Sequence, residues 1–361
     1  MADETDEMIV ERRKISPAIT DPILCHAGLG SGAAWRITRA QQSRFSTCVH
    51  ITVDNRRQTK QYVVKLGGEQ ERQGVWVPSA EYEGLKTLWD ASHGSTMLAV
   101  PEPVSFGADP PHVTTVYVSG ESALAILKRG CRRWANPRNR LAAIDVCKRM
   151  GAWVNEKHRL TVRSASPYML EEYVQFCRTR VDEIERFCGP SGRRIAHLAR
   201  VWLDGLAADH PIGRCFPLQE EHVQQMDCTP QNFLLEPDGS LCGLDFDAFR
   251  WDSLWVDPCV FWSSLEYMST NPLYSAQAVS TCWTAFAARL SVPPKLFMAS
   301  HLKQTLAALA WVRNPDRELL HTESRVTNLR HRALIRMQVK LLRTIFGDAP
   351  HHVEERLSRR V

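Results

Sequence analysis

Alternating apolar and polar positions dominate residues 31–120. In "TCVHITVDN" (47–55), Val49, Ile51 and Val53 fall on one side, the period-2 pattern of a half-buried strand. "AWRITRA" (34–40) alternates as well, and "DNRRQTK" reads as the turn between paired strands. "QYVVKLGG" (61–68) is a third strand, closed by two glycines. The period then becomes helical. In "PSAEYEGLKTLWDA" (78–91), Leu85, Leu88 and Trp89 form one stripe, with Ser79 placed as an N-cap. "AVPEPVSFG" and "HVTTVYVSG" read as two more strands. The predicted order is strand, strand, strand, helix, strand, strand.

From about residue 121 helical spacing takes over. Helices are predicted at 121–129, 137–159, 168–187, 193–208, 257–268, 274–289, 294–312 and 324–346. One stretch interrupts them. "FLLEPDGSLCGLDF" (233–246) is two short apolar runs about Pro237-Asp238-Gly239, a strong turn signal. The fold class is therefore α+β, with a β-rich part followed by a helical part that contains one short hairpin. Residues 1–20 read as a polar lead-in, and the glycines of "AGLGSGAAW" (27–35) as a turn before the first strand. No internal repeat is visible.

Composition narrows the function classes. The chain has 361 residues, 44% hydrophobic and 24% charged, which is ordinary for a globular protein. A net charge of +5 is compatible with an anionic ligand and too small to argue for nucleic acid. The acidic opening "MADETDEMIVERRK" has no apolar signal-peptide core, and no run approaches the ~18 apolar residues of a membrane span. Eleven cysteines stand singly, with no C-x-x-C pair. They read as reduced, buried residues rather than zinc ligands. The expectation is a cytoplasmic protein with neither a nucleic-acid nor a membrane partner; its oligomeric state is left open.

The chemistry concentrates in "HVQQMDCTPQNFLLEPDGSLCGLDFDAFRWD" (222–252). A hairpin at 233–246 brings its outer ends together, so Asp227 and Asn232 approach Asp245. Three oxygen-bearing side chains at one end of a small sheet suit a hard cation such as Mg²⁺. Equally, Asp and Asn are common turn caps, and spacing alone leaves both readings open. Lys65 ends the apolar run "YVVK", and the next helix carries Glu81 and Glu83 in its first turns. A Lys–Glu pair between strand and helix can hold an ammonium over bound phosphates.

With these pieces in order, the sequence resembles the aminoglycoside phosphotransferase and choline kinase group of kinase-like small-molecule phosphotransferases. "DCTPQN", then the hairpin, then "GLDFD" is similar to that group's H-G-D-x-x-x-x-N, hairpin and I-D-[FW]. "YVVK" and "SAEYEGLKTL" fit its lysine strand and glutamate helix, "VYVSGESAL" its hinge, and "WVDPCVFW" the helix after the metal site. The resemblance spans about residues 34–270. It implies a protein-kinase-like bilobal fold: an N-terminal extension at 1–30, a β-rich nucleotide-binding lobe at 31–118 and a helical lobe at 119–361. It implies Asp227 as the catalytic carboxylate, Asn232 and Asp245 as Mg²⁺ ligands, Lys65 on the ATP phosphates and Glu81 as its partner, with Glu83 as the substitute. Backbone groups at 116–120, Tyr117 and Val118 among them, would receive adenine. The implied activity is transfer of the γ-phosphate of ATP to the hydroxyl of a small molecule, whether aminoglycoside, sugar, choline-like compound or biosynthetic intermediate.

The sequence also departs from the pattern. Gln225 stands where the group has His. The loop "QQSRFST" (41–47) lacks glycine, so phosphate contacts fall to Ser43, Ser46 and Thr47. Asp247 is either a further metal ligand or an acid behind the ligands. These departures keep a second reading in view, a catalytically weak or inactive kinase-like binding protein. Asp257 reads as a helix cap that hydrogen-bonds the catalytic loop, and His158 as structural. Trp251, Trp255 and Trp262 are candidate walls of an acceptor pocket. Glu171, Glu172, Asp182, Glu183 and Glu185 either line a cationic-substrate site or form a solvated helix face. The arginines of 324–346 read as a solvated basic face.

Overall fold

The structure is a computed structural model of the chain. It describes residues 15–30, 33–42, 46–55, 58–67, 77–167, 170–187, 193, 196–201, 203–204, 219–224, 226–246, 251–254, 256–290 and 306. The predicted helices at 294–312 and 324–346 lie outside these residues except for Leu306. So do Ser43, Gln225, Asp247 and Trp255.

The alternating stretches form one five-stranded antiparallel sheet. Its strands are β1 (Trp35–Gln42), β2 (Ser46–Asn55), β3 (Gln58–Gly67), β4 (Pro103–Ala108) and β5 (Pro111–Val116), in spatial order β1-β2-β3-β5-β4. Pairing of Val49 with Val64 and Ile51 with Tyr62 aligns one apolar face. That face is covered by a helix, α1 (Pro17–His26), which buries Ile19, Ile23 and Leu24 against it. Residues 17–26 are thus part of the core, which corrects the reading of 1–20 as a lead-in. Helix α1 is tied down at its C-terminal end. The His26 ring bonds the Tyr62 hydroxyl (3.1 Å) and Glu102 (3.0 Å), while Lys60 donates to the His26 carbonyl (3.2 Å). Burial, with Glu102 nearby, pushes the Tyr62 hydroxyl up to about 12.

The other face receives α2 (Pro78–Ser92), whose buried Glu81, Gly84, Leu85 and Leu88 follow helical spacing. Leu85 and Leu88 belong to the second, larger core, together with Leu98, Ile126, Leu127, Trp153 and Phe233. That core is built on α3 (Ala123–Gly130), α4 (Pro137–Thr161), α6 (Val256–Ser269) and α7 (Ala276–Ala287), close to the spans expected from spacing. Helix α5 (Leu170–Phe187) lies among them in sequence. The hairpin is β9 (Phe233–Leu235) and β10 (Leu241–Gly243), turning through Gly239 at φ 89°. Such a φ favours glycine.

Two small sheets go beyond the expected β9–β10 hairpin. In the first, β6 (Glu121–Ser122) pairs with β9, giving the order β10-β9-β6. In the second, β7 (Arg163–Pro167), β8 (Gln219–Gln224) and β11 (Trp251–Ser253) pair antiparallel in the order β11-β8-β7. Among the described residues nine cysteines are free, and seven of these are buried: Cys131, Cys147, Cys177, Cys228, Cys242, Cys259 and Cys282. Among the described residues no helix is long and apolar enough to cross a membrane.

Candidate active site

Lys65 lies on β3 opposite Cys48 of β2, on the face turned toward α2. Its ammonium donates to both Glu81 oxygens, at 2.9 Å and 3.2 Å, and to Asp245 Oδ1 at 2.6 Å. Glu81 is only 7% exposed at its side chain and Lys65 16%. A carboxylate so buried is held by its cation, because an unpaired one would carry the full desolvation cost. Glu83, two residues on and so on a different side of the helix, is exposed, and geometry selects Glu81.

Asp245 follows β10 with φ 63°, the left-handed region that Asp tolerates better than most side chains. The preceding Leu244 donates its N–H to the Asn232 carbonyl at 2.7 Å, which fixes the two ends of the hairpin together. Asn232 closes a short 3-10 turn (Pro230–Asn232) and is 7% exposed. Its Nδ2 donates to the Asp227 carbonyl (2.9 Å) and to Asp227 Oδ2 (3.1 Å). Both partners are acceptors, so the amide orientation is set and Oδ1 points elsewhere. Thr229 Oγ1 lies 3.3 Å from Asp227 Oδ2. Hydrogen bonds therefore run from Glu81 through Lys65 to Asp245, and from Leu244, its neighbour in the chain, through Asn232 to Asp227.

The loop carrying Asp227 is anchored from beneath. Fully buried Asp257, in the first turn of α6, accepts the Met226 N–H at Oδ1 (3.2 Å). Its Oδ2 is held by fully buried Lys157 and lies 3.2 Å from His158 Nε2. Burial pushes the Asp257 carboxyl up, but the Lys157 ammonium and the His158 contact outweigh it and leave it below the usual range. Burial, reinforced by Lys157, lowers His158 against the opposing Asp257 contact. His158 Nδ1 has no partner among the described residues, which also disfavours a second ring proton. Asp257 and His158 were both expected as structural residues. Lys157, the third member, was missed.

The segment expected as the hinge joins the same assembly. The Tyr117 N–H donates to Gln61 O (2.9 Å), and the exposed Tyr117 ring meets His50 edge-on at 5.4 Å. Glu121 and Ser122 then pair with Leu235 and Leu234 of the hairpin. A Cβ at Gly120 would sit 2.8 Å from the Leu235 carbonyl, so that approach requires glycine. Gly243 is equally constrained, with Trp153 Cζ2 2.5 Å from a would-be Cβ.

Not every expected residue joins the site. Strand alternation puts Ser46 on the Lys65 face, whereas Thr47, paired with buried Leu66, stands on the face covered by α1. Cys48 does sit beside Lys65. Burial raises its thiol, with Lys65 opposing. The alternation of β2 and β3 carries that signal. Trp262 is partly buried and packs on Trp283 at 4.6 Å. Of the acids on α5, Asp182 (2.6 Å) and Glu185 (2.5 Å) are held by Arg200 from beyond the helix, and Glu183 (2.7 Å) by Arg180 within it.

Asn232 and Asp245 offer one amide and one carboxylate oxygen. Among the described residues no group of three His, Cys, Asp or Glu side chains could hold a metal. Two hard oxygen donors without an all-protein cage fit Mg²⁺, which usually keeps waters and substrate phosphates in its shell.

No protein-family model matches the sequence, and no curated protein matches it. Solved structures do match. The choline kinase LicA from Streptococcus pneumoniae aligns over 85% of this chain and 94% of its own, at 12% identity and TM-score 0.51. An aminoglycoside phosphotransferase from Alicyclobacillus acidocaldarius aligns over 90% and 93%, at 11% identity and TM-score 0.51. The streptomycin-ATP-APH(2")-IIa ternary complex aligns over 95% and 99%, at 11% identity and TM-score 0.52. The chain shares their protein-kinase-like fold. Identities this low carry the fold and no further, so chemistry must be argued from the side chains themselves.

Proposed function

We propose that the chain is an ATP-dependent phosphotransferase that moves the γ-phosphate to a hydroxyl of a small molecule. The observation that carries this reading is the hydrogen-bonded run Glu81–Lys65–Asp245, joined through the Leu244 main chain to Asn232 and Asp227. It joins the sheet to the hairpin loop and supplies the groups that phosphoryl transfer needs. That reaction asks the protein for positioning and charge neutralisation rather than covalent work.

In this reading the sheet at 31–118 and the helical part at 119–361 form the two lobes, with the nucleotide between them. Lys65, held by Glu81, contacts the α- and β-phosphates, and Ser46 adds a hydroxyl nearby. The main chain at Tyr117 and Val118 receives adenine. Asn232 and Asp245 hold Mg²⁺, which when bound neutralises charge on the phosphate oxygens. Asp227 accepts the proton of the acceptor hydroxyl as it attacks. Asn232 Nδ2 and Thr229 keep that carboxylate oriented, and Asp257 holds the loop beneath it.

The acceptor is a small hydroxylated molecule. Three of the five acids on α5 are engaged by Arg180 and Arg200, which disfavours α5 as the wall of a polycation site. The test is Mg²⁺-dependent ATP binding, followed by phosphate transfer to a panel of sugars, aminoglycosides and amino alcohols. Transfer to one acceptor, abolished by Asp227→Ala with ATP binding retained, is the expected result. ATP binding without turnover on any acceptor, unchanged by Asp227→Ala, would leave the chain a kinase-like binding protein.

A further inference from the structure

The modest net charge of +5 conceals a strong local segregation. Between residues 122 and 144 the chain carries six Lys and Arg and no Asp or Glu; between 267 and 290 it carries one Arg and no acid. The fold puts these two segments side by side. The Arg133 N–H donates to Leu273 O (3.0 Å), and the Ser275 N–H to Cys131 O (2.8 Å). Arg132 forms a β-bridge with Tyr274, and Arg140 donates to Arg133 O (3.2 Å). The carboxylates flanking the segment are neutralised: Glu121 pairs with Arg129 and Asp145 with Arg149. Lys128, Arg132, Arg133, Arg138 and Arg140 are all exposed and meet no carboxylate among the described residues.

Apolar side chains stand within this cationic surface. Trp134 is 65% exposed on the α3–α4 connection, Leu141 67% exposed on the first turns of α4, and Leu273 49% exposed on the connection from α6 to α7. The Trp134 connection is not loose. Hydrogen bonds from its neighbours hold it, and Asn136 caps α4 by accepting the Asn139 N–H at 2.8 Å. A pre-ordered loop loses little entropy on docking.

We propose that this surface docks the protein onto an anionic lipid bilayer, with Trp134, Leu141 and Leu273 entering the interface and the surrounding Lys and Arg meeting lipid phosphates. Trp is favoured at the headgroup level of membranes, and basic side chains are attracted by anionic leaflets. The two leucines decide between lipid and nucleic acid. A nucleic acid rewards aromatic stacking and phosphate pairing, but gives exposed leucine no hydrocarbon to enter. Docking of this kind is peripheral and needs no membrane-crossing helix. It also replaces the expectation of no membrane partner, which rested on the want of a long apolar run.

The experiment is co-sedimentation of the full chain with vesicles of phosphatidylcholine alone and of phosphatidylcholine mixed with phosphatidylserine. Binding only to the mixed vesicles, falling as salt rises, is expected. Arg132→Glu with Arg138→Glu should weaken it by at least about fivefold per charge removed. Trp134→Ser should weaken it with salt dependence retained. All three positions are exposed, so circular dichroism should remain that of the native chain. Three results would each overturn the proposal: no sedimentation with the mixed vesicles at low salt, binding unchanged in Trp134→Ser, or tighter binding to single-stranded polyuridylate than to the vesicles.

Discussion

The carboxylate of Asp257 accepts the main-chain N–H of Met226, one residue before Asp227. Its ability to do so as an anion depends on Lys157, a fully buried ammonium 100 residues earlier. Removing one member of a buried ion pair costs about 3–5 kcal/mol, whereas neutralising both costs much less. Lys157→Met should therefore lower stability in urea by about that amount. The double change Lys157→Met with Asp257→Asn should recover a large part of it, since Asn can still accept from Met226. A double variant no more stable than Lys157→Met would remove the pair from the account.

Activity should separate the roles around the hairpin. Asp227→Asn keeps the shape and loses the proton acceptor, so transfer should fall by about 10²–10⁴-fold with the KM for ATP little changed. Glu81→Gln instead loosens Lys65, so the KM for ATP should rise together with a fall in kcat. Steady-state kinetics on the acceptor found by the panel distinguishes the two patterns.

Stability should decline on the acid side in two stages. His158 is held neutral in the fold, so below its unfolded value of about 6.5 the unfolded chain binds the extra proton and gains. Asp257 is depressed in the fold. Its contribution is complete above the unfolded carboxyl value of about 3.9 and is lost as pH falls through the folded value. Urea midpoints across this range should show the first decline flattened in His158→Gln, with the second retained. A first decline that is identical in the variant assigns it to another group.

Gly243→Ala should destabilise the hairpin by about 1–3 kcal/mol, because its Cβ would meet the Trp153 ring, itself fixed by a 2.9 Å hydrogen bond from Nε1 to Ala99 O. Trp153→Leu in the Gly243→Ala background should relieve part of that clash, as thermal melts of the four combinations would register.

Ile23→Ala should cost about 2–4 kcal/mol, since the side chain is buried between α1 and the sheet. A polar lead-in would tolerate the change with no measurable shift in the urea midpoint.

The sheet was legible because alternation is a local signal in β1 and β2, and because β3, β4 and β5 are short apolar runs bounded by Gly, Pro and Asp. The hairpin was legible from Pro237-Asp238-Gly239, and Lys65 with Glu81 from a strand end followed by a helix start. Helix α1 was hidden by its length of ten residues and by Pro17 and Pro22, which break the appearance of a helical run. Strands β7, β8 and β11 are short and polar, and their partners lie far along the chain, β7 from β8 by more than fifty residues, so no local period announces them. Lys157 looked like any lysine near a helix end. Its burial is decided by Asp257, which lies far along the chain. The opposite placement of Thr47 and Ser46 was readable from strand alternation once Lys65 fixed the face.

The seven buried thiols give the chain an internal gauge of its own integrity. While the fold is closed, a thiol reagent should count few sulfurs in the described part of the chain, Cys25 first, because the buried thiols are shielded and burial also disfavours ionisation of Cys228 and Cys259. As helices α3, α4, α6 and α7 come apart, Cys131, Cys147, Cys259 and Cys282 become countable together. A mass spectrum after a brief labelling pulse then reads the opened fraction directly, with no added probe and no knowledge of the acceptor.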